Sequence, residues 1–417
     1  ITEGDLEKYG WRQKDDNDRI DNLLLYSVCR GAVHFLVTND KEIHSKARNA
    51  QIQEQVHYSY QFLEYLKSQQ DSKTSPIAGV EEIYLHEIEV GQPFFDSLRR
   101  GYPSYNEWYL KKAQEQRKAW CVRNKDSGEV YAICIYKEEE SPVITDNGNP
   151  LEGKALKLCT LKVGESVRGR KLGERLLYSA FRNAEDKAIP YVYVHIFGEE
   201  YDKLVSLCED YGFQSCGKYQ ARDEAYIKRM IPPELPDEST APIDYALKYY
   251  PHYLDGPEVR KFIVPIKPQY HEDLFPDISW FARGLYVSDQ TLYNSQSNTI
   301  KKAYICHSST RKIRPGDLLL FYRTHDRKSI ECIGVIEQIY SGNDIEKVIP
   351  MVSKRTVYSR KEIQEWLKKK TLILLFRLMQ TFPAITSQEL IKAGITGPIQ
   401  SIRNITHEQY TEISSGV

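Results

Sequence analysis

The sequence predicts an α/β protein of several domains, and three observations carry this prediction. Between residues 80 and 230, patterns typical of strands and of helices alternate. Residues 68–79 and 231–242 are polar, contain proline, and show no periodicity, which predicts two linkers. After residue 258, short strands spaced along the chain favour a small β-barrel with peripheral helices. The predicted domains are therefore residues 1–68, 80–231 and 258–417.

Composition limits the classes of function. Lys and Arg number 57 against 58 Asp and Glu, so no global field attracts nucleic acid, and any such affinity must come from local patches. The eight cysteines stand singly, which predicts reduced thiols in a cytoplasmic protein. No apolar run approaches the ~18 residues of a membrane span. The chain begins with Ile1 inside a helical pattern, so we expect further residues upstream.

The sequence of the first segment predicts a helix, a short buried strand and a second helix. Their sequences are IDNLLLYSVCRG, AVHFLVTND and KEIHSKARNA. Asp21 starts the first helix and Asp40 follows the strand. Carboxylates at these two places can converge on a divalent metal. The alternative is a helix cap for Asp21 and an Asx turn for Asp40.

The run DNLLLYSVCRGAVHFLVTNDKEIHSKA resembles the second half of PIN nucleases. The resemblance implies Mg²⁺ or Mn²⁺ bound by Asp21 and Asp40, with Asp18 as a spare ligand, and attack of water on an RNA phosphodiester. The family's first acid has no counterpart in the chain. Only half of such a site is therefore present.

A glycine-containing basic stretch, VRGRKLGERLL, follows the predicted strand LKLCTLKV and enters a helix. Backbone N–H groups in such a loop, together with the helix N-terminus, can hold an anion. The alternative is a plain basic turn.

The order of elements from residue 80 to 230 resembles the GNAT acyltransferases, which carry the motif Q/R-x-x-G-x-G/A at this loop. Arg168 and Gly173 fit the motif, whereas Lys171 replaces its first glycine; Lys171 can still donate its N–H if its backbone avoids a strained angle, and its ammonium can add to phosphate binding. The resemblance implies acetyl-CoA, with its pyrophosphate on the loop and its pantetheine arm on the backbone of a splayed strand. The implied cofactor-binding residues are Leu161, Val163, Arg168, Gly169, Arg170, Lys171, Leu172, Gly173 and Glu174.

Direct transfer of an acyl group needs a base for the amine proton and an acid for the departing thiolate. Many GNAT members place a tyrosine acid where this chain has Cys208, which is otherwise interpreted as a small buried residue. His195 and Glu199, at the end of the next strand, are candidate bases, although a lone histidine on a strand is often structural. The assignment of acid and base stays open.

The C-terminal segment concentrates basic and aromatic residues in RKIRPGDLLLFYRTHDRK and KRTVYSRK. Basic side chains follow phosphates and aromatic rings stack on bases, whereas the alternative is a solvated face. The run PGDLLLFYR, followed by IGVIE, resembles the PUA-like superfamily with its ASCH and EVE modules, which implies RNA or modified-base binding. The candidate RNA-binding residues are Arg311, Lys312, Arg314, Phe321, Tyr322, Arg323 and Arg327.

These resemblances together favour an acetyl-CoA-dependent N-acyltransferase that acts on RNA, aminoacyl-tRNA or an RNA-associated protein, in a bacterial toxin, stress or defence setting. The competing hypothesis is a metal-dependent ribonuclease whose GNAT-like domain senses acyl-CoA. A third is an RNA-binding scaffold without catalysis. RNA or tRNA and acyl-CoA are the expected partners, no membrane is expected, and an antitoxin or a second copy of the chain is a further candidate.

Overall fold

The computed structural model describes residues 1–33, 35–59, 62, 79–124, 127–197, 202–233, 240–275, 278 and 299–414. The chain divides into two compact units. The first contains residues 1–74, 303–309 and 338–374, and the second contains residues 75–302, 310–337 and 375–417. The domain boundaries drawn from the sequence stay a prediction.

The N-terminal part of the first unit is mainly helical. Its elements are α1 (Glu3–Tyr9), α2 (Asp16–Cys29), β1 (Leu36–Val37), α3 (Lys41–Asn49) and β2 (Val56–His57). The helix–strand–helix order is confirmed. The predicted buried strand is wrong, because β1 has two residues and Val37 is 38% exposed. Strands β1 and β2 pair in parallel, and Trp11, Leu25 and Ile43 belong to the apolar core of this part.

A seven-stranded mixed sheet forms the first half of the second unit. Its strands are β3 (Glu81–Tyr84), β4 (Lys118–Arg123), β5 (Val130–Glu140), β6 (Lys154–Val163), β7 (Tyr191–Ile196), β8 (Gln214–Tyr219) and β9 (Asp223–Arg229). The order is β3-β4-β5-β6-β7-β9-β8, and only β6 and β7 are parallel. The accompanying helices are α4 (Asp96–Gly101), α5 (Tyr105–Gln114), α6 (Leu172–Asp186) and α7 (Asp202–Asp210).

The α/β pattern predicted for this region is confirmed, except that β8 was missed. Its sequence, QSCGKY, lacks the apolar alternation that marks a half-buried strand. Helix α6 is amphipathic and buries Leu176, Ala180 and Phe181 against the sheet. Burial of a side chain the size of Phe contributes about 1.5–3 kcal/mol. This packing fixes the start of α6 beside the end of β6.

A six-stranded mixed sheet follows, with the order β11-β14-β13-β12-β10-β15. The remaining elements are α8 (Pro242–Lys248), β10 (Lys261–Ile266), α9 (Pro268–Leu274), β11 (Lys301–Cys306), β12 (Leu318–Arg323), β13 (Ser329–Gly342), α10 (Ile345–Val352), α11 (Arg360–Trp366), β14 (Thr371–Thr386), α12 (Ser387–Lys392), β15 (Arg403–Ile405) and α13 (His407–Ser414). Within the described residues β11 and β15 are the two edges, so the predicted β-barrel is not confirmed. Local periodicity predicts strands, whereas closure depends on pairing between the first and last of them.

Two predictions from composition can be compared with the structure directly. All eight cysteines are free thiols, as their spacing predicts. No helix among the described residues has the length and apolar character that a bilayer span requires.

Candidate active site

Strands β6 and β7 separate partway along the seven-stranded sheet. They pair only over residues 155–158 of β6 and 191–194 of β7. Beyond these pairs, β6 runs on to Val163 and β7 to Ile196. The pairing of β6 with β5 shifts by one residue at Cys159. Because a β-bulge bends the strand that contains it, this extra residue turns β6 away from β7 and opens a gap.

The edge of β6 that faces this gap carries backbone hydrogen-bonding groups. Directly after β6, Gly164 donates its N–H to the carbonyl oxygen of Tyr131 on β5, at 2.8 Å. Successive residues of a strand direct their N–H and C=O groups alternately to its two sides. The backbone groups of Leu161 and Val163 therefore point away from β5 and toward the gap. These are the residues whose backbone is expected to bind a pantetheine arm if the resemblance to GNAT acyltransferases holds.

The turn between β6 and α6 contains two residues with positive φ. Gly169 has a φ of 86° and Lys171, directly before α6, has a φ of 60° and a ψ of 23°. This left-handed conformation is easy for glycine and costs other residues about 1–2 kcal/mol. Lys171 thus adopts the backbone conformation that suits the motif's glycine. Its backbone is strained, so the condition under which Lys171 was expected to donate its N–H is not met.

Glu174, in the first turn of α6, anchors this lysine. Lys171 Nζ lies 2.7 Å from Glu174 Oε1, and the Glu174 side chain is only 5% exposed. Glu174 Oε2 accepts hydrogen bonds from the Tyr211 hydroxyl at 2.7 Å and the Ile300 N–H at 3.2 Å, and lies 2.7 Å from the Thr299 hydroxyl. The Lys171 ammonium therefore neutralises a buried carboxylate. The expectation that the Lys171 ammonium adds to phosphate binding is therefore corrected. The same contacts direct the Glu174 side chain to the interior.

The backbone at the start of α6 is suited to an anion. The first amides of an α-helix have no partner within the helix, and its dipole favours a negative charge there. Leu172 and Gly173 supply such amides. A Cβ on Gly173 would lie 2.9 Å from Leu207 Cδ2, so even a small side chain crowds this turn.

The arginines of the turn differ in what they offer. The N–H groups of Arg168 and Arg170 donate to carbonyl oxygens within the turn, at 3.3 Å and 3.4 Å. The Arg168 side chain is 43% exposed and pairs with the still more exposed Glu165 at 3.0 Å. A surface ion pair of this kind contributes about 0–1 kcal/mol. An incoming phosphate can therefore take the Arg168 guanidinium from Glu165 at little cost.

A pocket of 370 Å³ opens beside the gap, lined by the ends of β6 and β7 and by α5. Aromatic rings, among them Trp108 and Tyr219, form part of its wall. Asp223 is the single carboxylate among the described residues that line it. The cationic residues of the lining are Lys112, Arg117, Lys137 and Lys157.

His195 lines this pocket near the end of β7. Its Nε2 lies 2.9 Å from the carbonyl oxygen of Ile144, and its ring stacks on Tyr219 with centroids 4.1 Å apart. Because a carbonyl only accepts hydrogen bonds, Nε2 carries the proton and Nδ1 of the neutral ring is an acceptor. Burial and the nearby Lys157 lower the pKa of His195, which favours this neutral form.

The other two predicted acid–base residues do not join the site. Cys208 is fully buried in the apolar core, and burial raises the pKa of its thiol. The alternative interpretation, a small core residue, is the one that fits, and the predicted role of Cys208 as a general acid is wrong. Glu199 lies outside the described residues.

The acids of the first segment surround a lysine. Lys46 Nζ lies 2.6 Å from Asp18, 3.6 Å from Asp21 and 3.7 Å from Glu42. Asp40 caps α3 by accepting the N–H of Glu42 at 2.8 Å. Among the described residues, no group of three or more His, Cys, Asp or Glu side chains is arranged to hold a metal ion. The predicted Mg²⁺ or Mn²⁺ site at Asp21 and Asp40 is therefore not supported, because the Lys46 ammonium lies against Asp21 and the Asp40 carboxylate caps α3.

Several predicted RNA-binding residues are buried. Phe321 is fully buried, and its ring lies 4.9 Å from Phe275 and 4.7 Å from Phe376, centroid to centroid. Tyr322 is 8% exposed and Arg323 is 4% exposed. Neither ring can stack on an exposed base, and this corrects the roles assigned to Phe321, Tyr322 and Arg323.

The remaining basic residues of this segment are exposed. Arg311, Lys312 and Arg314 precede β12 and face solvent. Arg327 is also exposed, and its guanidinium pairs at 3.1 Å with the buried Glu331. The surface that can attract phosphate is therefore the stretch before β12 rather than the strand itself.

Sequence reasoning missed Lys157, although the strand ALKLCTLKV contains a signal. Lys157 and Lys162 interrupt an otherwise mainly apolar run there, in a central strand, where both faces are normally covered. A lysine on such a strand must face a cavity or water. Lys157 Nζ lies 5.5 Å from the ring centroids of both Tyr193 and Tyr219.

Comparisons with known proteins give matches of low similarity. No family model matches the chain, and no curated protein is similar to it in sequence. An ASCH protein from Zymomonas mobilis is 14% identical and covers 37% of this chain and 94% of its own, with a TM-score of 0.28. NAA60 from Arabidopsis thaliana in complex with acetyl-CoA is 14% identical over 36% of this chain and 98% of its own, with a TM-score of 0.28.

An acyl-CoA N-acyltransferase from Klebsiella pneumoniae, so described in its structure's name, is 15% identical over 36% of this chain and 98% of its own, with a TM-score of 0.25. At these scores the similarities carry no argument about activity. The functional conclusion rests on the geometry of the chain itself.

Proposed function

We propose that the protein is an acyl-CoA-dependent N-acyltransferase that transfers an acetyl group to an amine. The observation that carries this proposal is the separation of β6 from β7 between a helix N-terminus and a pocket. The exposed backbone of β6 suits an extended arm with amide groups, and the start of α6 suits a pyrophosphate. The pocket beyond the gap then receives the amine.

Different residues near β6 bind different parts of acetyl-CoA. The amides of Leu172 and Gly173, with the Arg168 guanidinium, bind the diphosphate, and the backbone of Leu161 and Val163 pairs with the arm. Acetyl-CoA supplies the thioester. His195 Nδ1 accepts the proton that the attacking amine loses as the new C–N bond forms and the C–S bond breaks. A thiol with a pKa of about 8.5 leaves as a thiolate without a strong acid, so the burial of Cys208 does not prevent transfer.

We propose that the acceptor amine is carried by RNA, as in an aminoacyl-tRNA. The exposed cations Arg311, Lys312 and Arg314 support this acceptor, since they can hold a phosphate backbone. A toxin, stress or defence setting stays a prediction from the sequence.

An acyl-CoA sensor is the second candidate function, and one observation favours it. The tyrosine acid common in GNAT enzymes is replaced by Cys208, which is sealed in the core. A sensor would bind the ligand without passing on its acyl group.

Calorimetry with CoA and acetyl-CoA tests the binding step. We expect micromolar affinity, on the order of −8 kcal/mol. Gly173→Asp should abolish binding, because it sets a carboxylate against the diphosphate. Gly173→Ala, which adds the Cβ without the charge, should bind within about ten-fold of the unaltered chain, or about 1.4 kcal/mol. Absence of heat with both ligands contradicts the proposal.

Labelled acetyl-CoA separates transferase from sensor. The protein is incubated with label and total cellular RNA, aminoacyl-tRNA or cell protein. We expect label on the RNA fraction, in the aminoacyl-tRNA pool. Label that remains wholly on CoA, in a protein that binds it, favours the sensor.

A further inference from the structure

We propose that the pocket beside β6 and β7 binds an amine that carries an anionic group, a carboxylate or a phosphate, and that Lys157 binds that group. The proposal rests on the proposed transferase activity and narrows its acceptor to a small anionic amine, in place of the esterified amino acid of an aminoacyl-tRNA, which has no free carboxylate. Binding of the anion itself does not depend on the transfer reaction.

The charge of the pocket points to an anion. Four cationic residues line it, Lys112, Arg117, Lys137 and Lys157, against the carboxylate of Asp223. An acceptor with an ammonium and no anionic group would be repelled by this lining. An acceptor that also carries a carboxylate or a phosphate gains attraction that offsets the repulsion.

Three of these cations already have carboxylate partners. Lys112 Nζ lies 2.7 Å from Glu115, and the Arg117 guanidinium lies 3.5 Å from the same residue. Lys137 pairs with Glu139. Two carboxylates, Glu115 and Glu139, therefore balance part of the charge of these three cations before any ligand arrives.

Lys157 differs from the other three. Within the described part of the chain its ammonium contacts aromatic rings, Tyr193 and Tyr219, each at 5.5 Å from the centroid, and no carboxylate lies within ion-pair distance. Lys157 is half-buried, so water solvates its ammonium poorly, and this burial lowers the pKa of Lys157. An anionic ligand group would supply the charge-assisted hydrogen bond that the rings do not.

The location of Lys157 suits an acceptor. It stands on β6 two residues before the bulge at Cys159, and His195 lines the same pocket. A ligand held by Lys157 through its anion can thus direct its amine toward the gap and His195. The surrounding cations also favour the neutral, nucleophilic form of that amine.

The size of the pocket limits the ligand. Its 370 Å³ is near the lower end of the ~300–1,000 Å³ typical of small-molecule sites. The pocket therefore takes one head group, with an aromatic or apolar part against Trp108 and Tyr219, rather than a whole nucleotide chain.

Matched ligand pairs test this on the unaltered full-length chain, by calorimetry. L-phenylalanine is compared with L-phenylalaninamide, and phosphoethanolamine with ethanolamine, so that each pair differs in its anionic group. We expect the anionic member of at least one pair to bind ten-fold or more tightly, and the pair that responds identifies carboxylate or phosphate as the source. No preference in either pair overturns the proposal.

Variants then locate the effect. Lys157→Met, close in volume to lysine, should remove the preference, and Lys157→Arg should restore most of it. Lys137→Met is the matched control, and should reduce the preference less than three-fold because Lys137 is already paired. If the anionic ligand is still preferred after Lys157→Met, the proposal is overturned. If that variant misfolds, the ligand pairs measured on the unaltered chain test the proposal.

Gly173→Asp keeps the two proposals distinguishable. It blocks the turn before α6, the other place where phosphoethanolamine can bind, and should leave the Lys157-dependent preference intact. If acetyl-CoA gives no transfer and this preference persists, the proposed function fails and the pocket proposal stands. If transfer occurs without the preference, only the pocket proposal fails.

Discussion

At the scale of single residues, His195 combines the features that a general base needs. Its Nε2 proton is held by the Ile144 carbonyl at 2.9 Å, which fixes the ring and leaves Nδ1 as the acceptor. Burial and Lys157 hold the pKa of His195 below its ordinary value of 6.5. The ring is therefore neutral at pH 7 and becomes charged only as the pH falls through the lowered pKa.

His195→Gln tests this role. Glutamine keeps a donor for Ile144 but offers no basic nitrogen, so we expect transfer to fall by about 100-fold, at the lower end of general-base effects. In the unaltered protein, kcat/KM should rise with pH to a plateau, with its midpoint below 6.5, and the variant should lose this rise. Activity of the variant within three-fold, with the same pH profile, contradicts the assignment.

Cys208→Ala provides a control for the residue predicted from sequence alone. Because Cys208 is buried in the core, its removal should leave the rate of transfer within about two-fold and lower stability by about 1 kcal/mol. Rate measurements and urea unfolding check the two parts. A loss of rate as large as that of His195→Gln would show that Cys208 takes part in the reaction.

At the scale of elements, the turn between β6 and α6 shows what sequence can and cannot predict. The strand, the turn and the helix lie where their patterns placed them, because periodicity and glycine are local signals. The anchoring of Glu174 was not predictable, since its partner Thr299 lies 125 residues further along the chain. Nor does the identity of Lys171 disclose its φ of 60°.

Substitutions of Lys171 test whether the backbone of this turn matters more than the ammonium. Lys171→Gly, Lys171→Asn and Lys171→Val all remove the ammonium, but only glycine and asparagine adopt a left-handed conformation readily. We expect CoA affinity, measured by calorimetry, to stay within three-fold for the first two and to fall at least ten-fold for valine. Equal losses in all three would assign the binding to the ammonium instead.

At the scale of the whole molecule, neighbouring residues of the basic C-terminal segment differ in their exposure. Arg311 and Phe321 are ten positions apart in the sequence, but the first lies on an exposed stretch and the second on β12, whose six residues are all buried. The run LLLFY already predicts a buried strand, and a fully covered strand offers no surface to RNA. The predicted barrel is not confirmed for a related reason, because strand spacing carries no information on closure.

Because the net charge is −1, the salt dependence of RNA affinity can show which cations contact the RNA. With no global field, the attraction must come from exposed cations, and within the described part of the chain Arg311, Lys312 and Arg314 have no carboxylate within ion-pair distance. Arg323, in contrast, is held by Asp326 at 2.9 Å and Glu272 at 2.8 Å. Replacing the first three by alanine should remove phosphate contacts, whereas replacing Arg323 should remove none.

Fluorescence anisotropy of labelled tRNA with the full chain, between about 50 and 200 mM salt, measures these contacts as the slope of log affinity against log salt. We expect the triple variant Arg311→Ala, Lys312→Ala and Arg314→Ala to reduce that slope by about two to three, one unit for each lost phosphate contact. Arg323→Ala should leave the slope unchanged and lower the unfolding temperature, because it leaves carboxylates without their partner. A slope that depends on Arg323 and not on the exposed three would place the RNA on β12, against its burial.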